Sequence, residues 1–301
     1  MKPLRIYLVL LPLLASCCVS SRAQDLSFPV PQVPDSLQVP GQRLAFVLER
    51  FWQDYDFCDD TQLNRQVGEQ GFVDYLQLLA YADSTLAAKS VHRFVDLAFL
   101  PSAPQSVSFF SGLVEHYLQN PYSPQRNDLL LAHFLRQMAE GYDRLPPSDQ
   151  TEAESSRARY LLSLVEKNQV GTVATDFEFL TRPGRRSRLY DVDAELLVLY
   201  FHNPACGECQ LYMPQALQSP ALQKEGLTVL LVNPEDNQEV WEDVRETVPQ
   251  NWIDACSPSG AIVRQQLYYL PVTPAFYLLD RDKRVLLKNV TLRQLEDNLQ
   301  Q

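Results

Sequence analysis

The chain has 301 residues, a length that allows two domains of ordinary size. Hydrophobic residues make up 46% and charged residues 21%, which excludes wholesale disorder; 21 prolines against 10 glycines exclude collagen-like and Gly-rich linker classes. The net charge of −11 disfavours contact with phosphate backbones, so nucleic acid is not expected as a partner.

Residues 1–23 read as an export segment. Lys2 and Arg5 precede an apolar run over 6–14 that is too short to span a bilayer. Two cleavage points compete. Leu14-Ala15-Ser16-Cys17 fits the bacterial lipobox at all four positions and predicts acylation of Cys17, with a membrane-anchored lipoprotein on the periplasmic side of the envelope. Ser21-Arg22-Ala23 fits an ordinary signal peptidase site and predicts a soluble periplasmic protein. A cytosolic protein with an apolar start is the bland alternative. Either export route ends in an oxidising compartment where disulfides persist. No later run reaches ~18 apolar residues, so no transmembrane helix is predicted.

Residues 24–40 are Pro-rich and predict an extended tether. Residues 41–168 predict an all-α helical domain of about five helices. Phe72, Tyr75, Leu76 and Leu79 share one face, and Leu129 to Leu135 begin a later helix, for which Ser123-Pro124 is the expected start. Phe51, Trp52, Tyr55 and Phe57, just before Cys58, read as packing residues.

Residues 170–301 change texture. Ala174 to Leu180 alternates as a strand does, and Arg182-Pro183-Gly184 reads as a turn. Leu196 to Phe201 is a continuous apolar run of the kind found in a buried central strand. Strands are predicted again over 227–232, 276–279 and 285–288, with helices over 207–218, 240–248, 261–268 and 291–299. The order gives an α/β domain with a mixed sheet flanked by helices.

Of six cysteines, Cys17 and Cys18 belong to the export segment; Cys58, Cys206, Cys209 and Cys256 remain, too few to staple a domain this size. Cys206-Gly207-Glu208-Cys209 admits three readings: half a zinc site, a redox pair, or chance. The scattered histidines (His92, His116, His133, His202) argue against zinc.

A buried strand ending in Tyr200-Phe201, then His202-Asn203-Pro204-Ala205 and a Cys-x-x-Cys opening a helix, resembles the thioredoxin fold. Thr273-Pro274-Ala275-Phe276 resembles that fold's proline loop and following strand. Trp241, Trp252 and an additional helix between the second buried strand and that loop make the chain similar to envelope thiol-disulfide oxidoreductases of the TlpA/ResA type. The phrases Phe-x-Asn-Pro-x-Cys and Tyr-Leu-Leu-Asp resemble a bacterial family with an uncharacterised helical N-terminal domain. The resemblance covers about 130 residues and implies thiol-disulfide exchange with protein or small-thiol substrates, a redox partner protein, and no cofactor. It also implies a cis Pro274 against the cysteines, with the Thr273 backbone free to pair with a client chain. The alternative is a thioredoxin-fold binding module without catalysis.

Physical chemistry supports the redox reading independently. A cysteine at a helix N-terminus faces unpaired N–H groups, which favours a thiolate at Cys206. Cys209, one turn further in, is placed to resolve a mixed disulfide. Glu208 is expected to oppose the thiolate. Tyr200 stands where the family's buried acid would be, and Ala205 where it has tryptophan. His202 reads as a strand-end surface residue, with a redox role as its alternative, Cys256 as an unpaired loop or buried thiol, with a resolving or pairing cysteine as its alternative, and Arg185, Arg186 and Arg188 as solvated.

Overall fold

Apolar side chains recurring at helical spacing bury one face of each of six helices in the N-terminal half: α1 (Pro40–Arg50), α2 (Gln70–Leu79), α3 (Ser84–Ala98), α4 (Pro104–Val114), α5 (Asp128–Arg144) and α6 (Asp149–Val165). The computed structural model describes residues 27–182, 184–243 and 248–300; Cys17, Cys18 and both cleavage points lie outside the described residues. Local chemistry sets the helix starts. Pro40 and Pro104 open α1 and α4, Asp83 accepts the Leu86 N–H, and Ser148 with Thr151 closes a reciprocal cap on α6. Helix α5 begins later than Ser123-Pro124 suggested, because the Asn127 side chain takes the N–H groups of Leu129 and Leu130.

The core of this region is a web of rings. Trp52, Phe57, Phe94 and Phe110 lie within 6.1 Å of one another, centroid to centroid, wherever they meet. The Pro-rich segment does not run free as a tether along its whole length. Phe28 stacks on Phe51 at 4.8 Å and meets Trp52 edge-on at 5.1 Å, and its ring fills the space a Cβ at Gly71 would need.

The C-terminal half is an α/β thioredoxin-like domain. Its strands are β1 (Glu178–Thr181), β2 (Arg186–Arg188), β3 (Leu196–Phe201), β4 (Leu227–Asn233), β5 (Trp252–Cys256), β6 (Ala275–Asp280) and β7 (Val285–Val290). They form one mixed sheet in the order β2-β1-β5-β4-β3-β6-β7, with β3, β4 and β5 mutually parallel along the centre. Helices α7 (Gly207–Gln218), α8 (Gln238–Asp243), α9 (Ala261–Arg264) and α10 (Leu292–Leu299) complete it. Alternation along β3 sends Leu197, Leu199 and Phe201 to one apolar layer and Val198 and Tyr200 to the other, where Met213 of α7 and Leu295 of α10 cover them.

Three elements differ from the sequence reading. Only the end of the 174–180 segment is a strand; Ala174 is buried and its N–H donates to the Lys283 carbonyl at 2.8 Å. Strand β5 was not foreseen, because Asp254 interrupts its apolar pattern; Arg182 neutralises that carboxylate. The helix expected over 261–268 ends at Arg264, where Gln266 turns to φ 50. That turn separates two neighbours: Tyr268 enters the sheet's core and Tyr269 the helical one.

Polar bonds join the two halves. Asp128 of α5 accepts from Asn289 Nδ2 at 3.0 Å and lies 3.6 Å from Lys288 Nζ, a side chain only 3% exposed. Lys288 also donates to the carbonyls of Val165 and Lys167, and Asn168 Nδ2 to that of Leu267 at 2.9 Å.

Candidate redox site

Strand register builds the site. Phe201, the last residue of β3, pairs with Ala275, the first of β6, so the segments just beyond both leave the same end of the sheet. One carries Cys206 and Cys209, the other Thr273 and Pro274. Cys206 Sγ lies 3.7 Å from the Thr273 carbonyl oxygen, and the Thr273–Pro274 bond is cis. All four sequence-predicted site residues in the described chain therefore meet at one place.

Cys206 is the N-cap of α7 and is partly exposed, whereas Cys209 is wholly buried. Burial alone would oppose ionisation of Cys206. The backbone N–H of Cys209, the Cys209 thiol, the Thr273 side chain and the Glu208 N–H outweigh it and hold the Cys206 pKa below that of an ordinary thiol. Burial pushes Cys209 the other way, and the adjacent Cys206 sulfur adds to the rise, although the Asn203 N–H donates to its sulfur at 3.4 Å. Glu208 is exposed, and its backbone N–H favours the anion at Cys206.

The chain before Cys206 is held by amides. Asn203 Oδ1 accepts from the Ala205 N–H at 2.9 Å and from Asn237 Nδ2 at 3.0 Å, and Asn237 Oδ1 in turn accepts from Asn233 at the end of β4. The Asn203 carbonyl accepts the Cys206 N–H at 3.0 Å. Asn203 was visible in the Asn-Pro-x-Cys phrase; Asn233 and Asn237 carry no local signal, because sheet order alone brings them in.

His202 is not a surface residue. It is 4% exposed, neither ring nitrogen has a hydrogen-bond partner among the described residues, and burial lowers its pKa to about 4 against a weaker opposing pull from Asp254. It lines a small cavity with Trp241 and Asp254, whose carboxylate accepts from Trp241 Nε1 at 2.8 Å and from Arg182. Tyr200, in the position of the family's acid, is buried and stacked on Phe276 at 4.4 Å. The four cysteines among the described residues are unpaired thiols. Cys58 is exposed beside Ser102, and Cys256 is buried in β5 with its pKa pushed up to about 11 by that burial. Arg186 and Arg188 are exposed, as expected.

The chain is similar over 91% of its length to a thioredoxin-like protein of known structure from Bacteroides caccae, with 28% identity, 98% of that chain covered and a TM-score of 0.79. A conserved protein of unknown function from Bacteroides fragilis matches 44% of the chain at 36% identity, over 98% of its own length, with a TM-score of 0.41. The thioredoxin domain of a thiol-disulfide oxidoreductase from Bacteroides vulgatus matches the same share at 19% identity, over 96% of its own length, with a TM-score of 0.39. No curated protein matches. Residues 15–168 match the model of a domain of unknown function, DUF5106, which takes in the whole helical half, and the chain therefore belongs to the DUF5106 family.

Proposed function

We propose that the protein is a thiol-disulfide oxidoreductase acting on cysteines of client proteins or small thiols. The observation that carries this reading is one juxtaposition: a thiol with lowered pKa at a helix N-terminus, a buried thiol one turn behind it, and a backbone carbonyl 3.7 Å away from the first sulfur. In the dithiol state the Cys206 thiolate attacks one sulfur of a client disulfide. An S–S bond to Cys206 forms, the client S–S bond breaks, and the released client thiolate takes up a proton. Cys209 then loses its proton and attacks the Cys206 sulfur, forming the internal disulfide and expelling the second client thiolate. Two electrons pass to the client, and a dithiol redox partner returns them; the reverse sequence oxidises a client. The raised pKa of Cys209 keeps it protonated until the mixed disulfide has formed, which orders the two attacks. The sequence signals over residues 1–23 support an envelope location on the periplasmic side, with Cys17 as the lipid attachment point.

Trapping tests the reading. With Cys209→Ala, mixed disulfides with clients should accumulate and run as reducible adducts on non-reducing gels. Limiting iodoacetamide should label Cys206 of the reduced wild type well ahead of Cys209. Preferential labelling of Cys209 would overturn Cys206 as the attacking thiol, and no adduct alongside partners that co-purify equally with the double cysteine variant would favour a non-catalytic binding module instead.

A further inference from the structure

Cys209 is wholly buried, and its proton has to leave before its sulfur can attack Cys206. A buried thiolate is costly unless hydrogen-bond donors face it. Burial pushes the Cys209 pKa up, and of the groups that pull the other way the Asn203 N–H comes first, ahead of the Thr273 side chain. That N–H meets the Cys209 sulfur at 3.4 Å. A main-chain donor is only as well aimed as the backbone that carries it, so whatever fixes residue 203 bears on the chemistry.

Strands β3 and β4 run parallel, and the His202 N–H carries their pairing one residue past Phe201, to the Val232 carbonyl at 3.0 Å. Asn203 and Asn233 therefore leave adjacent strand ends. Asn237 bridges them: its Nδ2 donates to Asn203 Oδ1 at 3.0 Å, and its Oδ1 accepts from Asn233 Nδ2. Main-chain groups fix the direction of this relay at both ends. The Ala205 N–H can meet only an acceptor, so Asn203 presents its oxygen and Asn237 must answer with nitrogen. That leaves the Asn237 oxygen for Asn233, whose own oxygen accepts the Glu235 N–H at 3.4 Å. We propose that Asn203 and Asn237 are positioning residues for the second sulfur attack: the relay holds the Asn203 N–H on Cys209, where it stabilises the thiolate that bonds to the Cys206 sulfur and expels the client thiolate. The proposal rests on the exchange activity inferred above. Both side chains act through the main chain of residue 203. The N–H groups of Glu208 and Cys209 serve Cys206 separately, so the second attack depends on the relay more than the first.

An aromatic disulfide with coloured leaving groups, dithiobis(nitrobenzoate), separates the two attacks. The Cys206 thiolate takes one arylthio group and releases the first coloured thiolate; the Cys209 thiolate then closes the internal disulfide and releases the second. The reduced full chain is mixed with an equimolar amount in a stopped-flow instrument. Asn237→Ala, at a half-buried position that folding can spare, should slow the second release about tenfold, the scale of one hydrogen bond to a charged group, and the first release by less. Asn203→Ala should do the same, and the double variant should be no slower than Asn203→Ala alone, because the two residues act along one line. Gln238→Ala, which removes the next amide along the chain, bonded to Glu242 instead, should leave both releases unchanged. A merely structural loss would lower urea midpoints without separating the two releases. An unchanged second release in Asn237→Ala, equal slowing of both releases, or additive slowing in the double variant overturns the proposal. A wild type that releases only the first thiolate removes the exchange reading itself; a wild type that releases both, alongside any of those outcomes, removes the relay alone.

Discussion

In the helical half, two deeply buried serine hydroxyls tie packed helices together. Ser90 bonds the Tyr75 hydroxyl at 2.8 Å and the Leu48 carbonyl at 3.1 Å, and Ser155 bonds Asp143 at 2.7 Å. In the sheet half, buried polar groups gather at one end of the strands. There Asn203, Asn233 and Asn237 hold the segment before Cys206, and the His202 ring sits among them without a partner among the described residues. The first pattern locks a scaffold around a web of rings. The second fixes the backbone that leads to a sulfur whose pKa is already lowered. Dividing the chain this way assigns support to one half and chemistry to the other, and each half can be perturbed separately.

The largest effect should come from Cys206→Ala. Exchange with oxidised glutathione should fall roughly a thousandfold or more, as expected when a nucleophile is deleted, while Cys58→Ala in the helical half should change it little. Stopped-flow thiol exchange measures both, and an equal loss in the two variants would break the division. On the scaffold side, Phe110 is fully buried, with Phe94 at 5.2 Å and Trp52 at 5.4 Å. Phe110→Ala should cost about 3–5 kcal/mol in denaturant unfolding. Near-UV dichroism should lose the aromatic signal of the helical half first, and the alkylation pH profile of Cys206 should persist.

Between the halves, Asp128→Ala leaves the Lys288 ammonium buried without its carboxylate. Burial already lowers the Lys288 pKa, and Asp128 opposes that shift. The loss should be about 3 kcal/mol; Asp128→Ala combined with Lys288→Met removes the stranded ammonium and should recover part of it, the rest reflecting the Val165 and Lys167 carbonyls left without their donor and the Arg126 guanidinium, 3.2 Å from Asp128, left without its carboxylate. A double-mutant cycle in urea reads the coupling; additive losses would mean that the ion pair does not join the halves. The smallest effect concerns His202. Its pKa falls from 6.5 to about 4, so between those values the unfolded chain takes up a proton that the folded chain refuses. Stability should therefore be intact above pH 6.5 and fall by about 2–3 kcal/mol on the way to pH 4. In His202→Phe that component should vanish, which urea titrations at pH 7 and pH 4 would reveal as a flatter profile.

What the sequence disclosed follows the reach of each signal. The cysteine pair is legible because its spacing and its place at a helix start are local, and Pro274 because it runs directly into an apolar strand. The ring cluster at Phe51 to Phe57 was legible as packing. His202 was not: whether a strand-end residue is buried depends on Trp241 and Asp254 closing over it from elsewhere in the chain. Strand β5 was hidden by one charge whose partner, Arg182, lies far back along the chain. Asn127 displaced an equally good start signal for α5 because its side chain reached two N–H groups at once.

The Phe28 ring has a mechanical consequence. It is wedged between Phe51, Trp52 and the bare backbone of Gly71, so tension on the chain upstream is borne first by that wedge. A pull strong enough to draw the ring out would load the aromatic web of the helical half before any force reached the strand ends that carry Cys206 and Thr273. The sulfur geometry is thereby insulated from a pull on the chain at Phe28, and a side chain at residue 71 would weaken that strain relief without touching the sheet.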